Sequence, residues 1–213
     1  MPIRHPLPAH PDIVIESEET VWDGRFPLQL VKFRNRRFDG QMSGRRQWEW
    51  WHRGRAAALL PYDPVADAVL LIEQFRLPAL AAGLSPVLVE IPAGLCDANE
   101  NAADAARRET IEEIAVTPRR MLPIGEFMLL PGGCDERISL YVGEVTATEA
   151  AADGLIGHGG LASEEEDIRV RRWPAERAIA AALAGEFTNS VTTITLLWLA
   201  AKRGWLCGEW RKP

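Results

Sequence analysis

The chain has 213 residues, 47% of them hydrophobic, and a formal net charge of −6. That much apolar material builds one large domain, or one domain with a small appendage, without disulfide staples. The acidic balance excludes a general nucleic-acid binder, which needs a basic face to neutralise phosphates, although a bound metal ion can reverse the local sign for a phosphorylated small molecule.

The N-terminal stretch MPIRHPLPAHPDIVIE is proline-rich, lacks the apolar run of a secretory signal, and reads as an extended arm to about residue 17. From Thr20 to Arg53, FPLQLVKF and RQWEWWHR read as strands. The second sets Trp48 and Trp50 against Gln47 and Glu49, and Asp39-Gly40 supplies a turn between the two. Residues 1–53 are therefore expected to form an arm and a small β subdomain. From Gly54 the texture changes. AAALLPYD and AVLLIEQF are nearly continuous apolar strands joined at Asp63-Pro64, and VLVEIPAG is a third. An alanine-rich helix follows from about Asn101 to Ala115, with Asn101 as N-cap and Asp104 three residues on. GEFMLLPGG and RISLYVGEV are strands, and DGLIGHGGLASEEED has the composition of a mobile loop. IRVRRW returns to strand. Pro174 opens a helix that stops at Gly185, and a last helix covers Ser190 to about Arg203. The longest apolar helix candidate, Ile194 to Ala201, is too short to span a bilayer. Cys96, Cys134 and Cys207 are far apart and form no CxxC pair, which fits a reducing cytoplasm. Strands on both sides of helices imply a layered α/β domain with a mixed sheet over residues 54–213.

The alanine-rich helix carries a conflict. Glu109, Glu112 and Glu113 share one face at i, i+3 and i+4, and like charges at that spacing cost roughly 0.2–0.5 kcal/mol per pair. One reading is a solvated charged face. The other is a site for a hard divalent cation, which takes oxygen ligands and often keeps water. Arg108 lies inside the cluster, and the turn at Gly94 permits close approach of the backbone.

The spacing Gly94, five residues, Glu100, seven residues, Arg108-Glu109, two residues, Glu112-Glu113 resembles the Nudix box, with Val116 in its last apolar slot. Thr110 stands where that family has an aliphatic residue, and Ala115 where it has the glycine that helps end the helix. The resemblance implies the Nudix α/β/α sandwich with a small N-terminal β subdomain. It implies Glu109 and Glu113 as ligands of Mg2+ (or Mn2+), completed by the carbonyl of Ala93. Glu112 would serve a further metal ion, and Arg108 and Glu100 would hold the cluster in register. Over nearly the whole chain, FDGQMS, LLPYDPVADAVLLIEQFR, PGGCDER, VGEV and SEEEDIRV are similar to the bacterial ADP-ribose pyrophosphatase branch of the family. In that branch the N-terminal subdomain mediates dimerisation by domain swapping. This implies a cytoplasmic homodimer, acting on no membrane and no nucleic-acid polymer, that hydrolyses ADP-ribose to AMP and ribose 5-phosphate. Hydrolysis of another nucleoside diphosphate sugar such as GDP-mannose, and non-catalytic sensing of ADP-ribose, are the alternatives.

The same resemblance assigns the activation of water to Glu164 and metal binding to Glu166, with Glu165 facing away if the segment is extended. The glycines at 154, 157, 159 and 160 would let the loop close over substrate. Arg76 is a candidate diphosphate clamp, and Glu136 a candidate ribose contact reached from the partner subunit. Gapless alignment of FDGQMS and LLPYDPV puts Arg25 and Trp48 where this branch holds an adenine between an aromatic ring and an arginine, in exchanged order. A flat cation and a ring stack on a base in either order.

Overall fold

A computed structural model of the chain describes residues 4–210, apart from the side chain of Glu164. The chain divides into two compact units. One takes residues up to Gly54 together with Met128–Arg137; the other takes Arg55–Phe127 and the chain from Ile138 onward.

The first unit is built on a three-stranded sheet of β1 (Ile13–Trp22), β2 (Leu28–Asn35) and β3 (Arg46–Trp51), in that order and antiparallel. β1 begins inside the segment expected to be an arm. Its alternation is hidden in the sequence because the register shifts twice, between Ile15 and Ser17 and between Thr20 and Trp22, and each bulge resets which face a side chain takes. Val31 of β2 lies opposite Trp48 of β3. Trp51 bridges to Cys134, which ties the PGGCDER segment to the edge of this sheet.

The second unit is an eight-stranded sheet. Its strands are β4 (Arg55–Asp63), β5 (Ala68–Phe75), β6 (Val87–Glu90), β7 (Ala93–Leu95), β8 (Met121–Met128), β9 (Arg137–Glu144), β10 (Leu155–Gly159) and β11 (Ile168–Pro174). The order is β10-β11-β5-β4-β9-β8, with β6 paired to β5 and β7 to β4. Four helices accompany it: α1 (Leu77–Ala81), α2 (Ala102–Ile114), α3 (Ala175–Leu183) and α4 (Ser190–Trp210). β4 and β5 are buried almost throughout, and strands covered on both faces read as unbroken apolar runs. Ala57 and Leu59 pack on Ala105 and Ala106 of α2. Tyr62, on the opposite face by strand alternation, sets its ring 6.4 Å from that of Trp210 and its hydroxyl 2.9 Å from Cys207 Sγ, both on α4. The result is the expected α/β class, with helices on both faces of the sheet.

Three expectations need correction. VLVEIPAG is two strands, because Pro92 has no N–H to give a ladder; its carbonyl accepts instead from Leu59 N at 3.0 Å. The glycine-rich stretch expected to be a loop contains β10, antiparallel to β11. α4 runs seven residues past Arg203. Gly204 and Gly208 disfavour helix, but Leu206 is fully buried, Trp210 is nearly so, and Arg120 Nη2 donates to the carbonyl of Trp210 at 2.7 Å. Tertiary packing outweighs local propensity there. The short helix α1, opened by Pro78, was not legible in the sequence at all.

Candidate active site: buried carboxylates beside a glycine turn

α2 starts where Asn101 accepts the N–H of Asp104 at 2.9 Å, as its sequence predicts. It ends at Ala115, which takes the left-handed conformation (φ 55°, ψ 28°) that glycine adopts without strain. The departure from the family pattern therefore leaves the exit turn intact and places an alanine in it. Thr110 is fully buried, and its hydroxyl donates to the carbonyl of Ala106 at 2.7 Å. The hydroxyl is thus satisfied inside the helix.

Arg108 is the hub of the cluster. Its Nε and Nη2 each donate to Glu100 at 3.0 Å, Nη1 donates to Glu109 at 2.7 Å and to Glu112 at 3.1 Å, and Nη2 also reaches the carbonyl of Leu95 at 3.0 Å. One guanidinium thereby joins the helix to the strand β7 ahead of it. These bonds hold the Glu100 carboxyl below its usual range and push Arg108 further above its own. Gly94 lies directly under Glu109, and a Cβ at Gly94 would overlap the Glu109 carboxylate. Glycine at this position lets the Glu109 carboxylate sit against the β7 backbone.

Glu113 is 3% exposed, and its Oε2 accepts from the N–H of Ala93 at 3.2 Å. Burial, then the charges of Glu109 and Glu166, push its pKa up to about 9. Burial also raises Glu109, against the opposing pull of Arg108. Among the described residues no three His, Cys, Asp or Glu side chains form a ready metal-holding set; one oxygen each of Glu109 and Glu112 is engaged by Arg108. The donor chemistry nevertheless fits a hard divalent cation. It is all oxygen, it is mostly buried, and its carboxylates repel one another until a cation offsets them.

Glu166 joins this cluster from the sheet side. Its Oε1 accepts from Gln74 Nε2 at 3.3 Å and its Oε2 from Leu161 N at 3.2 Å. The segment before it is not extended. Ala162–Glu164 forms a 3-10 turn and Glu165 is left-handed (φ 54°), so the expectation that strand alternation turns Glu165 away does not hold. The side chain of Glu164 lies outside the described residues. Two of the loop glycines have a packing role: a Cβ on Gly159 would overlap the carbonyl of Glu113, and the N–H of Gly160 donates to the carbonyl of Glu112 at 3.3 Å. They seat the strand end on the last turn of α2.

Arg76, at the end of β5, donates Nε (2.9 Å) and Nη2 (2.8 Å) to one oxygen of Glu90. The other Glu90 oxygen accepts from Asn189 Nδ2 at 2.6 Å. The positive charge of Arg76 also reaches Glu113. Glu90, Asn189 and Gln74 were missed in the sequence. A lone acid in VLVEIP was a signal for Glu90, since an unpaired carboxylate is costly in a buried strand.

The remaining candidates belong to the first unit. Trp48 donates Nε1 to the carbonyl of Gly132 at 2.8 Å, and its ring lies 5.1 Å under the guanidinium of Arg46. With Phe33, Trp50 and Met128 it lines a cavity of about 730 Å³ within this unit. The guanidinium of Arg25 lies 5.4 Å from the Phe26 ring. Glu136 pairs with Arg53. Arg25 and Trp48 are thus each stacked with another partner in this unit.

A family model described as NUDIX domain matches residues 52–191. The chain is 43% identical over 199 residues to an ADP-ribose pyrophosphatase of Escherichia coli (strain K12), covering 93% of each chain. It is 34% identical to an ADP-ribose pyrophosphatase of Haemophilus influenzae, covering 94% of this chain and 92% of that one. It is 31% identical to a GDP-mannose pyrophosphatase of Salmonella arizonae, covering 88% and 95%. In fold it matches a solved structure titled as an ADP compounds hydrolase, with a TM-score of 0.66 and 22% identity over 96% of this chain and all of the other.

Proposed function

The chain belongs to the Nudix family, and from that premise we propose that it hydrolyses the diphosphate of ADP-ribose to AMP and ribose 5-phosphate, with Mg2+ (or Mn2+) as cofactor. The observation that carries the reaction class is the mutually repelling set of buried Glu113 with half-buried Glu109 and Glu166, set against the Gly94 turn and braced by Arg108. The choice of substrate rests on the 43% identical relative.

Glu109, Glu113 and Glu166 would hold the metal with the carbonyl of Ala93, and Glu112 would serve a further ion. A divalent cation held there would supply positive charge that offsets the charge of the diphosphate. Glu164 orients a water and takes its proton as the water oxygen attacks one phosphorus and the bridging P–O bond breaks. Arg108 and Glu100 keep the helix in register with β7, so that the carboxylates meet the substrate without rearranging. Arg76 clamps the diphosphate. Arg25 and Trp48 stack on the adenine across a dimer interface, and Glu136 of the partner subunit meets a ribose hydroxyl. The exposed Val14, Val21, Trp22 and Trp51 of the first unit support a homodimer built through that unit. The separated cysteines support a cytoplasmic setting.

Hydrolysis of GDP-mannose is the second reading, carried by the 31% identical relative. A panel of nucleoside diphosphate sugars incubated with Mg2+, with products separated by chromatography, decides between them. Release of AMP from ADP-ribose as the fastest reaction is expected. Faster release of GMP from GDP-mannose would overturn the substrate assignment, and no turnover of any member would overturn the enzymatic reading.

A further inference from the structure

Arg76 is held by a chain of hydrogen bonds that begins at the N-terminus of α4. Asn189 Oδ1 accepts the N–H of Thr192 at 3.0 Å, capping the helix. That contact fixes the orientation of the amide, so its Nδ2 points to Glu90 Oε1 at 2.6 Å. The carboxylate of Glu90, 6% exposed, is thereby turned to present Oε2 to both Nε and Nη2 of Arg76. Among the described residues, Nη1 of Arg76 makes no hydrogen bond, which leaves one face of the guanidinium available to an anion. A long side chain at the end of a strand otherwise samples many rotamers, and holding it in one lowers the ordering cost of binding.

We infer that Glu90 and Asn189 are positioning residues that set Arg76 as a preformed clamp for the substrate diphosphate, coupling the clamp to the N-cap of α4. This rests on Arg76 meeting the diphosphate, as proposed above. Glu90 fits the role because it is buried, is anchored by Asn189, and is not among the carboxylates assigned to the metal. Substituting Glu90 by Gln keeps its shape but leaves a single acceptor, which cannot serve Asn189 and Arg76 together.

The test is a double-mutant cycle read as KM and kcat for ADP-ribose with Mg2+, with circular dichroism confirming the fold. Arg76→Ala should raise KM roughly 10–100-fold, the range for a lost charge-assisted contact. Glu90→Gln should raise KM by about 3–10-fold with kcat within about twofold, since the clamp acts on ground state and transition state alike. In the Arg76→Ala background, Glu90→Gln should add nothing further. An unchanged KM in Arg76→Ala would overturn the clamp and the inference with it. A full multiplicative effect of Glu90→Gln in the Arg76→Ala background would overturn the positioning role alone. If Glu90→Gln does not fold, Asn189→Ser takes its place in the cycle, because a serine hydroxyl still caps α4 while the amide donor is lost. The same coupling pattern is then required, and additivity overturns the inference.

Discussion

Replacing Glu113 by Gln tests the carboxylate cluster most directly. The side chain is 3% exposed and accepts one hydrogen bond, from Ala93 N–H, which a glutamine oxygen can still accept. In the metal-free protein burial and the charges of Glu109 and Glu166 push Glu113 up to about 9, from an ordinary value of 4.5. A folded-state pKa above the unfolded one stabilises the fold fully below the unfolded value. That stabilisation drains away as pH rises through the window from 4.5 to about 9. Each unit is worth about 1.4 kcal/mol, so charging Glu113 without a cation costs several kcal/mol. Glutamine cannot charge. For a chain of this size 1 kcal/mol moves the unfolding midpoint by about 2–4 °C. Metal-free Glu113→Gln should therefore melt roughly 5 °C or more above wild type at pH 8.5, with the gap closing near pH 4.5. With Mg2+ present the order should reverse, because the variant loses a ligand, and turnover should fall at least about 100-fold, beyond the cost of losing a supporting group around a metal. Melts with and without Mg2+ at the two pH values, with AMP release as the activity readout, complete the test. A variant with the wild-type pH slope, or one that keeps full activity, refutes the argument.

Glu164→Gln should lower the rate of ADP-ribose hydrolysis while Mg2+ affinity, read by calorimetry, stays within a few-fold; Glu166→Gln should weaken Mg2+ binding. Equal metal loss in both would abolish that division of roles. Trp48→Ala should weaken substrate binding about ten- to a hundred-fold, the range for a lost stacking platform, with a smaller effect on kcat. Normal affinity in a variant that remains dimeric would return Trp48 to a packing role. Ala115→Gly should raise the thermal midpoint by a few degrees, because the left-handed conformation at this position costs a non-glycine residue about 1–2 kcal/mol and glycine gives part of that back in unfolded-state entropy. A lower midpoint would show that the strain lies elsewhere.

Periodicity and capping made legible only what is local to one element; Glu166 and Arg76 entered through the resemblance alone. The cap at Asn101, the run of α2 and the shared face of Glu109, Glu112 and Glu113 depend on helical periodicity alone, and α2 has it. Asn189, Glu90 and Arg76 lie on separate elements, and nothing in their spacing announces that the fold joins them. β10 was hidden for a related reason. Gly159 packs against the carbonyl of Glu113 at the end of α2, and a Cβ on Gly160 would meet Glu166; glycines selected by close approach erase the alternation that marks a strand. β1 lost its period to two bulges. The tail of α4 was cut short because Gly204 and Gly208 are read as stops unless Tyr62 and Arg120 are known to lie beside it.

That tail has a consequence for biosynthesis. Tyr62 emerges early in the chain, yet Cys207, which meets its hydroxyl, lies 145 positions later. At about 5–20 residues per second of translation, roughly 7–30 s separate the two. Throughout that interval the Tyr62 side of β4 waits for the last turns of α4. A nascent chain stalled before Leu206 would therefore leave the Tyr62 ring without its α4 partners.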